Sequence, residues 1–207
     1  RELERIRDRN LVGFLRSLKE RDWGAGKVLK AHDERRAAAF HAEIAKDLDQ
    51  AAKGAPLVMW QGQVLPGWID YNGHMTESRY YFCNSETVDN FLRMIGAGMD
   101  YVAAGHSYYS AETHIRHLGE AKLGDQIRGE LQIISADEKR FRSFVRIMKG
   151  EDCVATVEQL CLHVDMQAGK TLAAAPEVWG KLQAIAKAHA GLPLPEGAGR
   201  AVGQKKD

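Results

Sequence analysis

Proline and cysteine are both scarce in this 207-residue chain, with five of the first and three of the second. Cys83, Cys153 and Cys161 form no CxxC pair and no metal-ligand spacing, and an odd count does not fit a disulfide framework. Charge of one sign is also lacking. A formal net charge of +1 leaves no electrostatic footprint for nucleic acid or an anionic membrane. No apolar run approaches the roughly 18 to 20 residues of a transmembrane helix. The first twenty residues are charged throughout, unlike a secretory signal. Reduced thiols and a cytoplasmic setting are the expectation. The first residue is Arg1 rather than Met, so a fragment of a longer polypeptide is expected. What is present is ordinary for a globular protein: 44% hydrophobic and 28% charged residues, enough for one core.

The chain changes character once. Residues 1–53 read as a charged helical segment in which Leu3, Ile6, Leu11, Phe14 and Leu18 recur at helical spacing. That stripe needs a partner surface. Lys53-Gly-Ala-Pro56 breaks the pattern. Beyond it Leu57 to Ile69 is strand-like, and Thr76 to Ile95 reads as a helix with Tyr81, Val88, Phe91, Leu92 and Ile95 on one face and Thr76 as N-cap. Asp100 to Ala104 reads as one more helical turn. Four strands follow, at Ser107–Leu118, around Ile127–Ile133, around Phe141–Ile147 and at Cys153–Val164, with turns at Gly124-Asp125, Ala136–Lys139 and Gly150–Asp152. Pro176 to His189 closes the domain 54–190 as a helix, and 191–207 reads as a disordered tail. One long helix against a run of antiparallel strands is an α+β architecture.

The densest chemistry lies in Trp68-Ile-Asp-Tyr-Asn-Gly-His-Met-Thr-Glu-Ser78. A carboxylate, a flexible turn and an imidazole stand just before a helix start, where unpaired N–H groups and the positive dipole end gather. Such a carboxylate can attack, or activate water for, a carbonyl held on those N–H groups. The bland alternative for Asp70 is a turn cap. Gly73 reads as the close-approach residue of that site and as an ordinary turn glycine, two compatible roles, and His74 either orients Asp70, contacts the substrate, or is a satisfied structural histidine. His114 and His117, three apart on a strand, face opposite sides and make a poor metal pair.

Asp70-Tyr-Asn-Gly-His-Met75 followed by Tyr80, then Gly124-Asp125, Ala155-Thr-Val-Glu158 and His163-Val-Asp165, resembles the hotdog-fold acyl-CoA thioesterases of the 4-hydroxybenzoyl-CoA thioesterase type. The family pattern has two Asn where Thr76 and Glu77 stand here. The first segment, Arg1 to Leu11 with Gly24-Ala-Gly26, is similar to the C-terminal tail of L-carnitine dehydrogenase. Together they resemble the betainyl-CoA thioesterase part of L-carnitine dehydrogenase/betainyl-CoA thioesterase fusions. The resemblance implies a hotdog fold, a long central helix wrapped by a curved antiparallel sheet, with a helical N-terminal extension. It implies hydrolysis of a small acyl-CoA without metal or redox cofactor, a homodimer or higher homo-oligomer, and an L-carnitine dehydrogenase domain as a partner.

It also implies roles. Asp70 is the catalytic carboxylate, and the Glu77 N–H is the oxyanion donor beside Gly73 and His74. Betainyl carries a quaternary ammonium, which aromatic faces hold through cation–π attraction. Trp68, Tyr71, Tyr80 and Tyr81 are the rings near the motif, with core packing as their alternative; Glu77 and Glu112 could add negative charge. In the basic cluster Lys139, Arg140, Arg142 and Arg146, Arg140 at its turn is the residue for coenzyme A phosphate, against the alternative of a solvated strand face. Two other classes stay open: a hydratase, although Met75 stands where that chemistry needs a histidine, and a non-catalytic acyl-CoA binder docked on a dehydrogenase.

Overall fold

The computed structural model describes residues 54–200 and Val202; the expected helical segment 1–53 lies outside the described residues. Strand β1 (Leu57–Gln63) leads through a 3-10 turn, Pro66–Trp68, to helix α1 (Glu77–Ile95) and a short α2 (Met99–Ala103). Four long strands follow: β2 (His106–His117), β3 (Gln126–Asp137), β4 (Arg140–Lys149) and β5 (Asp152–Asp165). A two-residue β6 (Lys170–Thr171) and helix α3 (Pro176–His189) complete the order. The sheet runs β1-β3-β4-β5-β2, with β6 added to β5, and every pairing is antiparallel.

Period-2 alternation builds this sheet. Leu57, Leu131, Val145, Val157 and Ile115 stand side by side in register on its inner face, and the first four are fully buried. Helix α1 lies across that face. Its Phe91 meets Phe141 edge-on at 5.7 Å, and both are 0% exposed. Gly129 lets the helix come close, because a Cβ there would overlap the Thr87 hydroxyl. The buried stripe of α1 is Tyr80, Cys83, Asn84, Thr87, Val88, Phe91, Met94 and Ile95. Val88, Phe91 and Ile95 of the expected face are buried and Leu92 is half-buried, but Tyr81 is not part of it: it is 39% exposed, and Tyr80, about 100° around the helix, is the buried ring. The polar members Asn84 and Thr87 hide this stripe from a hydrophobicity reading.

Three further expectations change. The strand expected over 57–69 stops at Gln63, because Pro66 opens the 3-10 turn. Thr76 holds the N-cap position in extended geometry, but its side chain makes no capping hydrogen bond. Residues 191–200 of the expected disordered tail are packed on the sheet through Pro193 and Gly199. Helix α3 occupies the place beside β3 beyond the end of β1. His189 at its end accepts the Ile133 N–H at Nδ1 (2.9 Å) and reaches Ala55 O with Nε2 (3.0 Å).

Candidate active site

The motif loop is held shut by its own backbone. An isolated bridge joins Ile69 to Met75, Asp70 N–H donates to His74 O at 3.0 Å, and Gly73 N–H donates to Asp70 O at 3.0 Å. Gly73 sits at φ 81, the left-handed region that favours glycine, with open space around its Cα. The Asp70 carboxylate is half-buried, and its Oδ1 accepts the Asn72 N–H at 2.8 Å. The turn-cap reading of Asp70 is thus realised, and it orients the carboxylate while leaving Oδ2 without a hydrogen bond among the described residues.

A second set of bonds clamps this loop to the segment after β2. Met75 N–H donates to Ala121 O at 2.8 Å, and His74 Nε2 meets Glu120 Oε2 at 2.8 Å. The His74 ring is therefore paired with Glu120, and only its backbone carbonyl touches Asp70. Glu120 carried no signal in the sequence, since its partner is 46 residues away in the chain. Tyr80, 3% exposed, accepts the Ala121 N–H at 3.0 Å and donates to Gly119 O at 3.4 Å. Burial pushes its hydroxyl pKa up. Tyr80 is a brace for the loop.

Helix α1 begins at Glu77 with that acidic side chain exposed in its first turn. Thr76 N–H is spent on Trp68 O at 2.8 Å and Arg79 N–H on Thr76 O at 2.9 Å. The N–H groups of Glu77 and Ser78 make no hydrogen bond among the described residues. Two free donors at the positive end of a 19-residue helix, next to a pinned carboxylate, form an oxyanion-type site. The cysteines offer no competing nucleophile: burial raises Cys83 and Cys161 to about 12 and raises Cys153 as well.

The four rings do not converge within this chain. Trp68 is 9% exposed, stacked on Trp60 at 6.5 Å and edge-on to Phe82 at 5.4 Å. The Arg79 guanidinium already lies 5.6 Å from the Trp68 ring centre. Tyr81 turns the other way, toward Gln159 Nε2 at 3.5 Å, and Tyr71 is 98% exposed. Glu112 stands on β2 away from the loop. In the basic cluster, Arg140 pairs with Asp137 at 2.7 Å, Arg142 with Glu158 at 3.1 Å and Arg146 with Glu130 at 2.7 Å. Arg140 is exposed, Arg142 and Arg146 are half-buried, and Arg140 and Arg142 line a cleft. His117 packs its ring on Tyr80 at 5.1 Å and His114 lines that cleft, so the two do face opposite sides.

A family model described as the thioesterase-like superfamily matches residues 64–185, more than half of the chain. The chain belongs to the thioesterase-like superfamily. The match covers the motif loop, all of the long strands after it and most of α3. L-carnitine dehydrogenase/betainyl-CoA thioesterase of Rhizobium meliloti (strain 1021) is 51% identical over 212 residues, covering 100% of this chain and 42% of that protein. The chain spans less than half the length of this and the other bifunctional relatives it matches. Betainyl-CoA thioesterase of Pseudomonas aeruginosa is 33% identical over 150 residues, 71% of this chain and 94% of that protein. Among solved structures, a hypothetical protein of Staphylococcus aureus in complex with CoA superposes with a TM-score of 0.68. It is 21% identical, with 73% of this chain and 98% of that one covered. A putative thioesterase of Pseudomonas putida KT2440 gives a TM-score of 0.64 at 26% identity and the same coverage. The fold of this thioesterase-family chain is the hotdog fold, as the motif resemblance implied.

Proposed function

We propose that the chain hydrolyses a small acyl-CoA thioester, with betainyl-CoA as its preferred substrate, releasing CoA and the free acid in carnitine catabolism in the cytoplasm. The observation that carries the reading is the pinned Asp70 carboxylate beside the two free N–H groups that start α1. The identity to relatives named for this activity supports the substrate. The thioester oxygen sits on the Glu77 N–H, and the C=O bond is polarised toward it. Asp70 then acts in one of two ways. As a general base it takes a proton from water while the water oxygen bonds to the carbonyl carbon. As a nucleophile it forms an acyl–Asp70 anhydride that water opens. In both, the C–S bond breaks from a tetrahedral oxyanion, and the CoA thiolate ends protonated.

Gly73 and His74 shape and anchor the loop. For the quaternary ammonium, Tyr81 and Tyr71 are the rings with open surface, and Trp68 and Tyr80 support the loop from below. Arg140 is the residue for a CoA phosphate. Asp70 and Arg140 stand at opposite ends of one protomer. The motif loop is bonded to Ala121, beyond the end of β2, whereas Arg140 pairs with Leu162, and Leu162 with Tyr109 near the start of β2. Tyr109 to His117 alone spans roughly 26 Å at about 3.3 Å per residue. That is farther than a pantetheine arm reaches. β2 is an edge strand whose stretch Tyr109–Thr113 is exposed. Antiparallel pairing of two copies along β2 covers that edge and brings the start of one strand to the end of the other. A homodimer then places one copy's Arg140 near the other's Asp70. Residues 1–53 serve docking, with a dehydrogenase domain as the partner.

The deciding experiment is a hydrolysis panel that includes betainyl-CoA and its neutral isostere 3,3-dimethylbutyryl-CoA. A desolvated cation–π contact is worth about 2 kcal/mol, so a preference of roughly thirtyfold for betainyl is expected. Equal rates leave a generic short-chain thioesterase. Retained CoA affinity with no turnover points to the binding-module reading.

A further inference from the structure

The family match ends at residue 185, and the segment 191–200 beyond it is the part of the chain that the thioesterase reading leaves unused. It leaves α3, rounds β3 and crosses the outer face of the sheet. Its path follows one register row, in which Gln132, Phe144, Glu158 and His114 stand side by side on β3, β4, β5 and β2. Gln132 Nε2 donates to Pro193 O at 3.2 Å, and Gly199 N–H donates to Glu158 Oε2 at 2.6 Å. A turn closed by Ala198 N–H on Pro195 O at 3.1 Å lies between them. There Gly197, at φ 87, rests on the Arg116 guanidinium so closely that a Cβ would overlap it. Phe144, in the middle of the row, is 2% exposed. The segment is a strap pinned at both ends.

The end of the strap forms one wall of a cleft of about 630 Å3, whose other walls come from β2, the β3–β4 turn, β4 and β5. Arg140, Arg142 and Arg200 line it, with Glu112, His114 and Glu158. The acids are unevenly engaged. Asp137 is committed to Arg140, and Glu158 to both Arg142 and the Gly199 N–H. Arg142 Nε is buried and approaches Glu158 too far off line for a hydrogen bond, so a donor is still unspent. Arg200 makes no ion pair among the described residues, and Glu112 is left as the one acid without a cation. Three guanidiniums and a lone carboxylate suit a ligand that is anionic at one end and carries N–H or O–H donors at the other. A phosphorylated adenosine has that pattern.

We propose that the strap completes the site for the phosphorylated end of the acyl-CoA, with Arg200 adding a third guanidinium to Arg140 and Arg142. The inference rests on the thioesterase reading above and extends its phosphate site to a residue outside the family match. Glu158 is the latch: its carboxylate fixes the strap at Gly199 and so sets where Arg200 stands.

The test uses the full chain and two esters of the same acyl group, one of CoA and one of pantetheine, which lacks the nucleotide. In Arg200→Ala the KM for the CoA ester should rise about tenfold, the loss of one charged hydrogen bond to phosphate, with kcat unchanged. Both constants for the pantetheine ester should stay at wild-type values, and Arg200→Lys should recover part of the loss. Adenosine 3′,5′-bisphosphate, titrated by calorimetry, should bind the wild type and bind Arg200→Ala about tenfold more weakly. An unchanged KM for the CoA ester, an equal loss on the pantetheine ester, or no binding of the bisphosphate to the wild type would overturn the assignment. A wild type that binds the bisphosphate through Arg200 yet hydrolyses neither ester would refute the thioesterase reading and leave the strap site standing.

Discussion

Replacing Asp70 by Asn separates the chemistry of the motif loop from its architecture. The amide keeps an oxygen where Oδ1 accepts the Asn72 N–H, so the turn that closes the loop survives. The charge is lost. A hydrogen bond to a charged acceptor exceeds a neutral one by about 1 kcal/mol, which for a domain of this size lowers Tm by no more than about 4 °C. The Ile69–Met75 bridge, the His74–Glu120 pair and the Tyr80 bonds to Gly119 and Ala121 are untouched. Turnover is another matter. An amide is neither a base nor a usable nucleophile, and removing that role costs about 10²- to 10⁴-fold in kcat, or roughly 2.7 to 5.4 kcal/mol of barrier. The assay is release of free CoA thiol from betainyl-CoA under saturation, with melting curves on the same preparations. Near wild-type kcat in a folded variant would remove Asp70 from the reaction. A Tm drop well beyond the expected few degrees would show that the carboxylate is chiefly structural.

Three other outcomes follow from the same geometry. Tyr80→Phe leaves the buried Ala121 N–H without its acceptor and should cost about 1 to 3 kcal/mol in denaturant unfolding, with kcat falling only as far as the loop loosens; unchanged stability would refute the bracing role. Gly129→Val drives a side chain into Thr87 and should destabilise by about 1 to 3 kcal/mol or more, whereas Gly150→Ala at the open β4–β5 turn, strained only by its φ of 58, should cost less; the reverse order would contradict the close approach of α1. His189 is held neutral because its Nδ1 accepts the Ile133 N–H, and burial lowers its pKa below the ordinary 6.5. The unfolded chain therefore takes up protons first, so this share of stability is complete above about pH 6.5 and is lost as pH falls toward the folded-state pKa. The urea midpoint should drop from about pH 7.5 to about pH 5.5, and His189→Gln should shrink that drop; an identical drop in the variant would refute it.

The parts of the fold that could be read from sequence are those coded locally. Alternation at Ile127–Ile133 and Phe141–Ile147, and the glycines at 124 and 150, mark strands and turns because side-chain period and positive φ are properties of neighbouring residues. The helices beginning near Thr76 and Pro176 are found for the same reason. The strap fails that test. Its Pro and Gly composition reads as disorder, yet its partners Gln132, Arg116 and Glu158 are supplied by distant strands. The aromatic cluster fails in the opposite sense. Trp68, Tyr71, Tyr80 and Tyr81 are close in sequence, but a helix turns about 100° per residue, which sends Tyr80 inward and Tyr81 toward Gln159 of β5. Closeness along the chain does not ensure convergence in space.

The same distinction accounts for the departure from the family pattern at Thr76 and Glu77. Among the described residues neither side chain makes a hydrogen bond: Thr76 does not cap the helix, and Glu77 points to solvent. What these two positions contribute is backbone. The Thr76 N–H ties the loop to Trp68 O, and the Glu77 N–H stays free at the head of α1. A change of side chain that leaves helical geometry intact preserves both. Within the motif, then, Gly73 supplies a backbone angle, His74 and Tyr80 clamp the loop to Glu120, Gly119 and Ala121, and Asp70 is the side chain that the proposed reaction uses. In the proposed function, acyl specificity then falls to the open ring of Tyr71 and to surfaces that meet this loop. In the proposed homodimer those surfaces are the exposed edge of β2 and the Tyr81 side of α1.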